Sequence, residues 1–274
     1  MLKQACLQLR AQGYSIGQIA RRLSVSKSSV HWHVRKISLT LEQKEALRQR
    51  KQRIMAVVNG RRRGKALQPR PFLKPRWSQN LIHLVSHLAF DGRVDRYGCH
   101  YYSRNKQQVE HVQKLLKCLL QIEAKIYQRS NGIWTASYHN VETADWLSHR
   151  EAELELVTSR SPRWRQTWLR AFFDDEGHVH FAGSIRRVRA SQDRPEVLRI
   201  AREFLDGFHI ASRIDMTAHA VEITGRENLE RFHAMIGFSP GIQINPARRN
   251  GIWKTAIDKQ ELLSIALQSY LSVL

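Results

Sequence analysis

Acidic residues are scarce in this chain of 274 residues: 24 Asp and Glu stand against 45 Lys and Arg, for a net charge of +21. That balance argues against cationic partners and for polyanions, nucleic acid first and acidic membrane second. Long apolar runs are also missing. None approaches the length that spans a bilayer, and the first residues do not read as a signal peptide. There are only three cysteines, Cys6, Cys99 and Cys118, an odd number without ligand spacing. A disulfide framework and a cysteine zinc site are therefore not expected, and the thiols read as reduced. A cytoplasmic, nucleoid-associated location follows as the expectation.

What is present is unevenly spread. Residues 1–76 hold 19 of the Lys and Arg but only Glu42 and Glu45, while the other 198 residues are close to neutral. In residues 3–37, apolar positions such as Leu7, Ile16, Ile19, Leu23, Val30 and Val34 recur at helical spacing, interrupted at Gly13 and near Ser24. Ser15 and Ser26 are placed to cap the second and third helices, because short hydroxyls accept bonds from free helix amides. The segment from Ser26 through Lys27, Ser28, Ser29 and His31 to Arg35 and Lys36 reads as a recognition helix. The stretch resembles resolvase-type helix–turn–helix modules. A plain or protein-binding three-helix bundle is the alternative. Residues 41–58 read as a basic helix. Beyond it, Arg61, Arg62 and Arg63 lie on a glycine-flanked loop that either enters a minor groove or serves as a solvated linker.

The chain is organised around WLRAFFDDEG at residues 168–177, an aromatic helical stretch that ends in three acids and a glycine. Glycine there predicts a left-handed helix cap, and carboxylates sit at the end of the helix dipole that favours cations. The acids are either a solvated cap or a holder for metal. Residues 81–92, LIHLVSHLAFDG, repeat the pattern, and both copies are introduced by Pro-Arg-Trp, at Pro75 and Pro162. Each copy is followed by hairpin, helix and hairpin. A repeat of this size implies two similar units about a pseudo-twofold axis, with one acid from each near it.

These two stretches resemble the paired helices of single-chain LAGLIDADG homing endonucleases. Leu169–Gly177 is the closer match and Leu84–Gly92 the weaker, with Ala89 where the family often has its first Asp. The resemblance covers roughly residues 75–274. It implies an α+β fold of two αββαββα units forming a DNA-binding saddle, preceded here by the small all-α domain. It also implies that Asp91 and Glu176 are the catalytic, metal-holding acids. The expected domains are 1–40, the basic helix and linker 41–74, and the two units 75–155 and 156–274.

Strand alternation places Lys125, Tyr127 and Arg129 on one face, and Arg187 and Arg189 on another, opposite Val188. Such faces suit a DNA groove, although antiparallel sheets commonly keep one face wet. The dipeptide Asn131-Gly132 predicts a tight hairpin. Close helix approach needs small residues, met by Ser86 and Ala171, with His87, Phe90 and Phe172 bulkier than expected. His83-x-x-x-His87-x-x-x-Asp91 is spaced as zinc ligands can be, with His178 and His180 as possible additions. The resemblance implies helper bases near the metal, for which Arg248 and Arg249 are candidates.

The expected function is site-specific hydrolysis of both strands of double-stranded DNA by a monomer using Mg2+ or Mn2+. A non-catalytic transcription regulator and an RNA-splicing maturase are the alternatives.

Overall fold

The structure, a computed structural model, describes residues 2–62, 71–244, 246 and 253–270. They form two compact units, residues 1–70 and 71–274.

The first unit is helical. α1 (Leu2–Ala11), α2 (Ile16–Leu23) and α3 (Lys27–Val34) close over Cys6, Ile19, Ala20, Val30 and Val34. Ser15 caps α2 in a reciprocal box with Gln18, and the Ser26 hydroxyl accepts from the Ser29 amide at the start of α3, as expected. Ser24 ends α2 in the left-handed conformation at φ 54°. α4 (Leu41–Arg62) departs from expectation by running through Gly60. A glycine inside a helix costs only about 1 kcal/mol, which a helix of 22 residues absorbs. Arg61 and Arg62 therefore belong to the end of a helix and not to a loop; Arg63 lies outside the described residues.

The second unit contains the same series of elements twice. α5 (Gln79–Phe90), β1 (Gly92–Asp95), β2 (Gly98–Ser103), α6 (Lys106–Leu120), β3 (Lys125–Gln128), β4 (Trp134–His139) and α7 (Val141–Thr158) form the first half. α8 (Pro162–Glu176), β5 (Gly177–Ala182), β6 (Ile185–Ser191), α9 (Pro195–Asp206), β7 (Ser212–Asp215), β8 (Ala220–Thr224) and α10 (Arg226–Met235) form the second, followed by α11 (Lys259–Gln268). Both sheets are antiparallel and share one order, β1-β2-β4-β3 and β5-β6-β8-β7. The fold is thus α+β with two αββαββα units. One continuous core runs through both, from Leu81 and Leu84 on α5 to Phe172 and Phe173 on α8 and Leu262 on α11.

The helix pair α5 and α8 sits at the centre because its apolar stripe is buried nearly all round. Ser86 and Ala171 are fully buried there. Phe90 is accommodated by edge contacts with Trp168 and Phe172 across the pair.

The glycine that follows each helix corrects the left-handed-cap expectation. Gly177 has φ −89° and ψ 154°, ordinary extended backbone. What requires glycine is space. A Cβ on Gly177 would lie 2.4 Å from the Phe173 carbonyl oxygen, and one on Gly92 would lie 2.5 Å from the Leu88 Cα. The strand leaves so close to the helix that no side chain fits. Gly177→Ala is expected to destabilise the unit by about 2–3 kcal/mol, lowering Tm by roughly 5–10 °C. Gly132→Ala is the contrast. That glycine has φ +80° in the β3–β4 turn and open space around it, so only backbone strain of about 1 kcal/mol is expected. Thermal unfolding of the two variants checks the order; equal losses would refute it.

Candidate active site

α5 and α8 deliver their acids side by side. Asp91 is the residue that ends α5, and Glu176 is the last residue of α8. They feel one another electrostatically: burial first, then the charge of Asp91, raises the Glu176 carboxyl to about 8. Burial, followed by the charge of Asp175, raises Asp91 to about 8 as well. Each acid borders its own cavity. Asp91 lines a space of about 540 Å3 between β2 and β5, with Asp174, Asp175, Gln108 and Lys259 also on its wall. Glu176 lines another of about 270 Å3 with Gln192, Asp193 and His219. Gln192 donates to Glu176 Oε1 at 3.0 Å.

The other two acids of the triplet are committed to the protein. Asp174 accepts from the Ser239 amide at 2.9 Å, and its Oδ2 is buried without a hydrogen-bond partner. Asp175 crosses to the first half. It accepts from the Tyr101 hydroxyl at 2.7 Å and the Gln108 amide at 2.5 Å, and lies 2.9 Å from His87 Nδ1. This explains the bulk of His87, which faces a carboxyl and not an empty interface. Burial lowers His87 to about 4 and raises Asp175 to about 8, so the contact is a hydrogen bond of a neutral imidazole.

Two cations missed in the sequence meet the helix ends. Lys259, at the start of α11 and only 7% exposed, donates to the carbonyls of Asp174 at 2.6 Å and Phe173 at 3.4 Å. Arg194 donates to the Ala89 carbonyl at 2.9 Å. Each caps the negative end of one central helix, where a cation is most favourable. Both also sit in the field of the acids: Arg194 lowers Glu176, and Lys259 lowers Asp91 and Glu176. The only local signal for Lys259 is its position in the first turn of a helix, where a lysine opposes the dipole. Arg248 and Arg249 lie outside the described residues.

The donor set fits a hard divalent cation. Asp91 and Glu176 are half-buried carboxylates held in mutual repulsion, with too few positive partners to ionise easily, and a dication relieves that. A pH dependence follows. Asp91, Asp175 and Glu176 are raised from ordinary values of 3.8, 3.8 and 4.5 to about 8. Between pH 7 and 8 the unfolded chain has released these protons while the folded chain still holds them. Stability therefore falls as pH rises. The lowered histidines act on the other side, below about 6.5, where the unfolded imidazoles charge. One retained proton is worth about 1.4 kcal/mol per pH unit, or roughly 3–5 °C in a domain of this size. Tm in chelator is expected to drop by at least that much from pH 7 to 8, and Mg2+ to remove most of the drop. A Tm that holds or rises in chelator would refute this.

The remaining predicted contacts are on outward surfaces. Ser26, Lys27, Ser28, His31, Arg35 and Lys36 are exposed on or beside α3, and Ser29 is half-buried. Trp32, missed in the sequence, is 61% exposed among them, with the Arg35 guanidinium over its ring. Lys125 and Tyr127 point away from the core while Ile126 packs against it. The Arg129 guanidinium stacks on Tyr102 of the same sheet. On the second sheet, Arg187 and Arg189 surround Glu222, at 2.8 and 3.5 Å, and Arg213 pairs with it at 2.5 Å. Glu222 is 1% exposed, so the arginines form a patch with part of its charge already answered. His178 and His180 pair with Arg189 and Arg187 across β5 and β6 and join no metal cluster among the described residues.

Residues 163–237, from α8 to α10, match the model of the LAGLIDADG-like domain family. No curated protein matches. Among solved structures, the chain is similar to mesophilic variants of the homing endonuclease I-DmoI at 11% identity, covering 60% of this chain and 93% of that one, with TM-score 0.47. It is similar to I-DmoI in complex with DNA and Ca at 16% identity, covering 60% and 91%, with TM-score 0.46. The N-terminal LAGLIDADG domain of DUF199/WhiA is similar at 16% identity, covering 64% and 96%, with TM-score 0.47. No helix among the described residues is long and apolar enough to cross a membrane.

Proposed function

We propose that the chain is a site-specific endonuclease that hydrolyses both strands of double-stranded DNA with a divalent metal, Mg2+ or Mn2+. The observation that carries this reading is the pairing of Asp91 and Glu176 at the adjacent ends of α5 and α8, each beside a cavity of its own. The LAGLIDADG-like match over residues 163–237 supports it. Asp91 and Glu176 would hold the metal. When bound, such an ion neutralises phosphate charge and lowers the pKa of a water. Lys259 and Arg194 keep the carboxylates in a positive field, and Tyr101 and Gln108 fix the Asp175 carboxyl between the two halves by donating to it. The outward faces bearing Lys125, Tyr127, Arg129, Arg187 and Arg189 would lie along the duplex, and α3 would read an adjoining stretch from the major groove. The working form is a monomer, with domains 1–40, 41–74, 75–155 and 156–274. A cytoplasmic, nucleoid-associated location accords with a DNA substrate.

The direct test is incubation with a randomised library of duplex DNA in Mg2+, followed by sequencing of the cut ends. A defined cleavage site is expected. Tight binding to one sequence without cleavage in Mg2+ or Mn2+ would instead favour a transcription regulator, and preference for structured RNA a maturase.

A further inference from the structure

Beside the acids lies a second cluster with different chemistry. His83 and His87 are one turn apart on α5, and His111 reaches them from α6. One ring nitrogen from each lies within 4.8 Å of the other two. His83 Nε2 and His87 Nε2 face each other at 3.0 Å, and the rings of His83 and His111 are 5.1 Å apart. We propose that His83, His87 and His111 form a binding site for one transition-metal dication of the zinc class, separate from the carboxylate pair.

Hydrogen bonding alone leaves this cluster unsatisfied. A single proton serves the contact between His83 and His87, and His111 Nε2 is buried with no partner. Such an orphan is costly unless something accepts its lone pair. Three imidazole nitrogens around a tetrahedral zinc, at 2.0–2.1 Å from the ion, stand ~3.3 Å apart. The His83–His87 nitrogen distance of 3.0 Å is close to that value and the other pairs lie within 4.8 Å, so small rotamer changes bring the ring nitrogens into place. The rings are held neutral by burial, the state in which imidazole ligates.

The surroundings supply the other requirements. The far nitrogen of His87 contacts the Asp175 carboxyl at 2.9 Å, and Tyr101 and Gln108 hold that carboxyl in turn. A carboxylate behind a ligating histidine fixes its tautomer and strengthens it as a ligand. Entry is available from two sides. His83 borders a small cavity of about 70 Å3 beside Gln166, and His111 lines an open groove beside Glu110. The charges of Arg170 and Lys114 act on His83 and His111, respectively; neither is among the ligands. Nitrogen donors select zinc, copper, nickel or iron over magnesium, whereas carboxylates with water suit magnesium. The ion would brace α6 against α5 and hold Asp175 in its ionised form beside the helix ends.

The test uses the full chain, stripped with chelator and titrated with Co2+ as a coloured probe. An intense visible band of four- or five-coordinate Co2+ is expected, saturating at one equivalent, abolished by Zn2+ and unaffected by excess Mg2+. His83→Gln and His111→Gln should each weaken Co2+ binding at least tenfold, with circular dichroism unchanged. His111 is the milder site, since its side chain is only partly buried on α6 whereas His87 is fully enclosed. Displacement of the band by Mg2+, a band no stronger than that of the aqueous ion, or an undiminished band in both variants would overturn the proposal. None of these readouts depends on DNA cleavage.

Discussion

Asp91→Asn and Glu176→Gln are each expected to abolish double-strand cleavage, with the rate down at least ~100-fold, while affinity for the selected site stays within a few-fold. The amides keep the shape of the side chains but lose the charge that holds a dication. Neither acid is suited to contact phosphate without one, so binding does not depend on them. Unfolding is not a competing explanation. Burial penalises both carboxylates when charged, with each carboxyl raised to about 8. Neutral replacements should therefore raise Tm above pH 7. Because each acid borders a separate cavity, a nick in one strand is the most either variant should yield. Cleavage assays on supercoiled and linear DNA separate the three products. Double-strand cutting retained by both single variants would remove the two acids from the chemistry.

The second large effect concerns the basic residues 1–70. A chain beginning at Pro71 is expected to fold and to cut at high concentration and low salt, yet to bind far more weakly. Starting two residues later would be unsafe, since Phe72 packs against the core and the Leu73 amide donates to the Leu120 carbonyl. Each lost phosphate contact should flatten the slope of log affinity against log salt by about 0.9. If six contacts go, the slope falls by roughly 5, and most of the salt sensitivity disappears. The footprint should also lose the base pairs under Ser26–Lys36. Salt titrations of both chains and cleavage-site selection measure this. An unchanged slope and footprint would mean that α1 to α4 do not touch DNA.

Much of this arrangement is legible locally. Alternation around Ile126 and Val188 marks strands with one wet face, and Asn131-Gly132 marks the turn between β3 and β4. The repeated acid-glycine ending points to α5 and α8. What stays hidden arises where distant segments meet. Lys259 reaches the carbonyl of Asp174 from 85 residues away, and Arg194 reaches Ala89 across 105. No local periodicity carries such a contact. Glu222 looks like an ordinary strand acid until the fold closes three arginines over it. The two turn glycines mislead for another reason, since composition does not separate a left-handed backbone from a strand pressed against its helix. Gly60 predicts a break, and the helix it sits in is long enough to override it.

The residues just before the final acids, Phe90 and Asp175, hold matching positions in the two halves but not matching chemistry. Phe90 enters an aromatic pocket of Trp168 and Phe172, whereas Asp175 enters a polar one of His87, Tyr101 and Gln108. Two copies of the second half paired together would press each Asp175 toward Phe172, with no imidazole or phenol to receive it. Two copies of the first would set each Phe90 against His87. Severed between α7 and α8 and co-expressed, the halves should therefore recombine only as unlike partners, and a mixture of either half alone should stay unpaired.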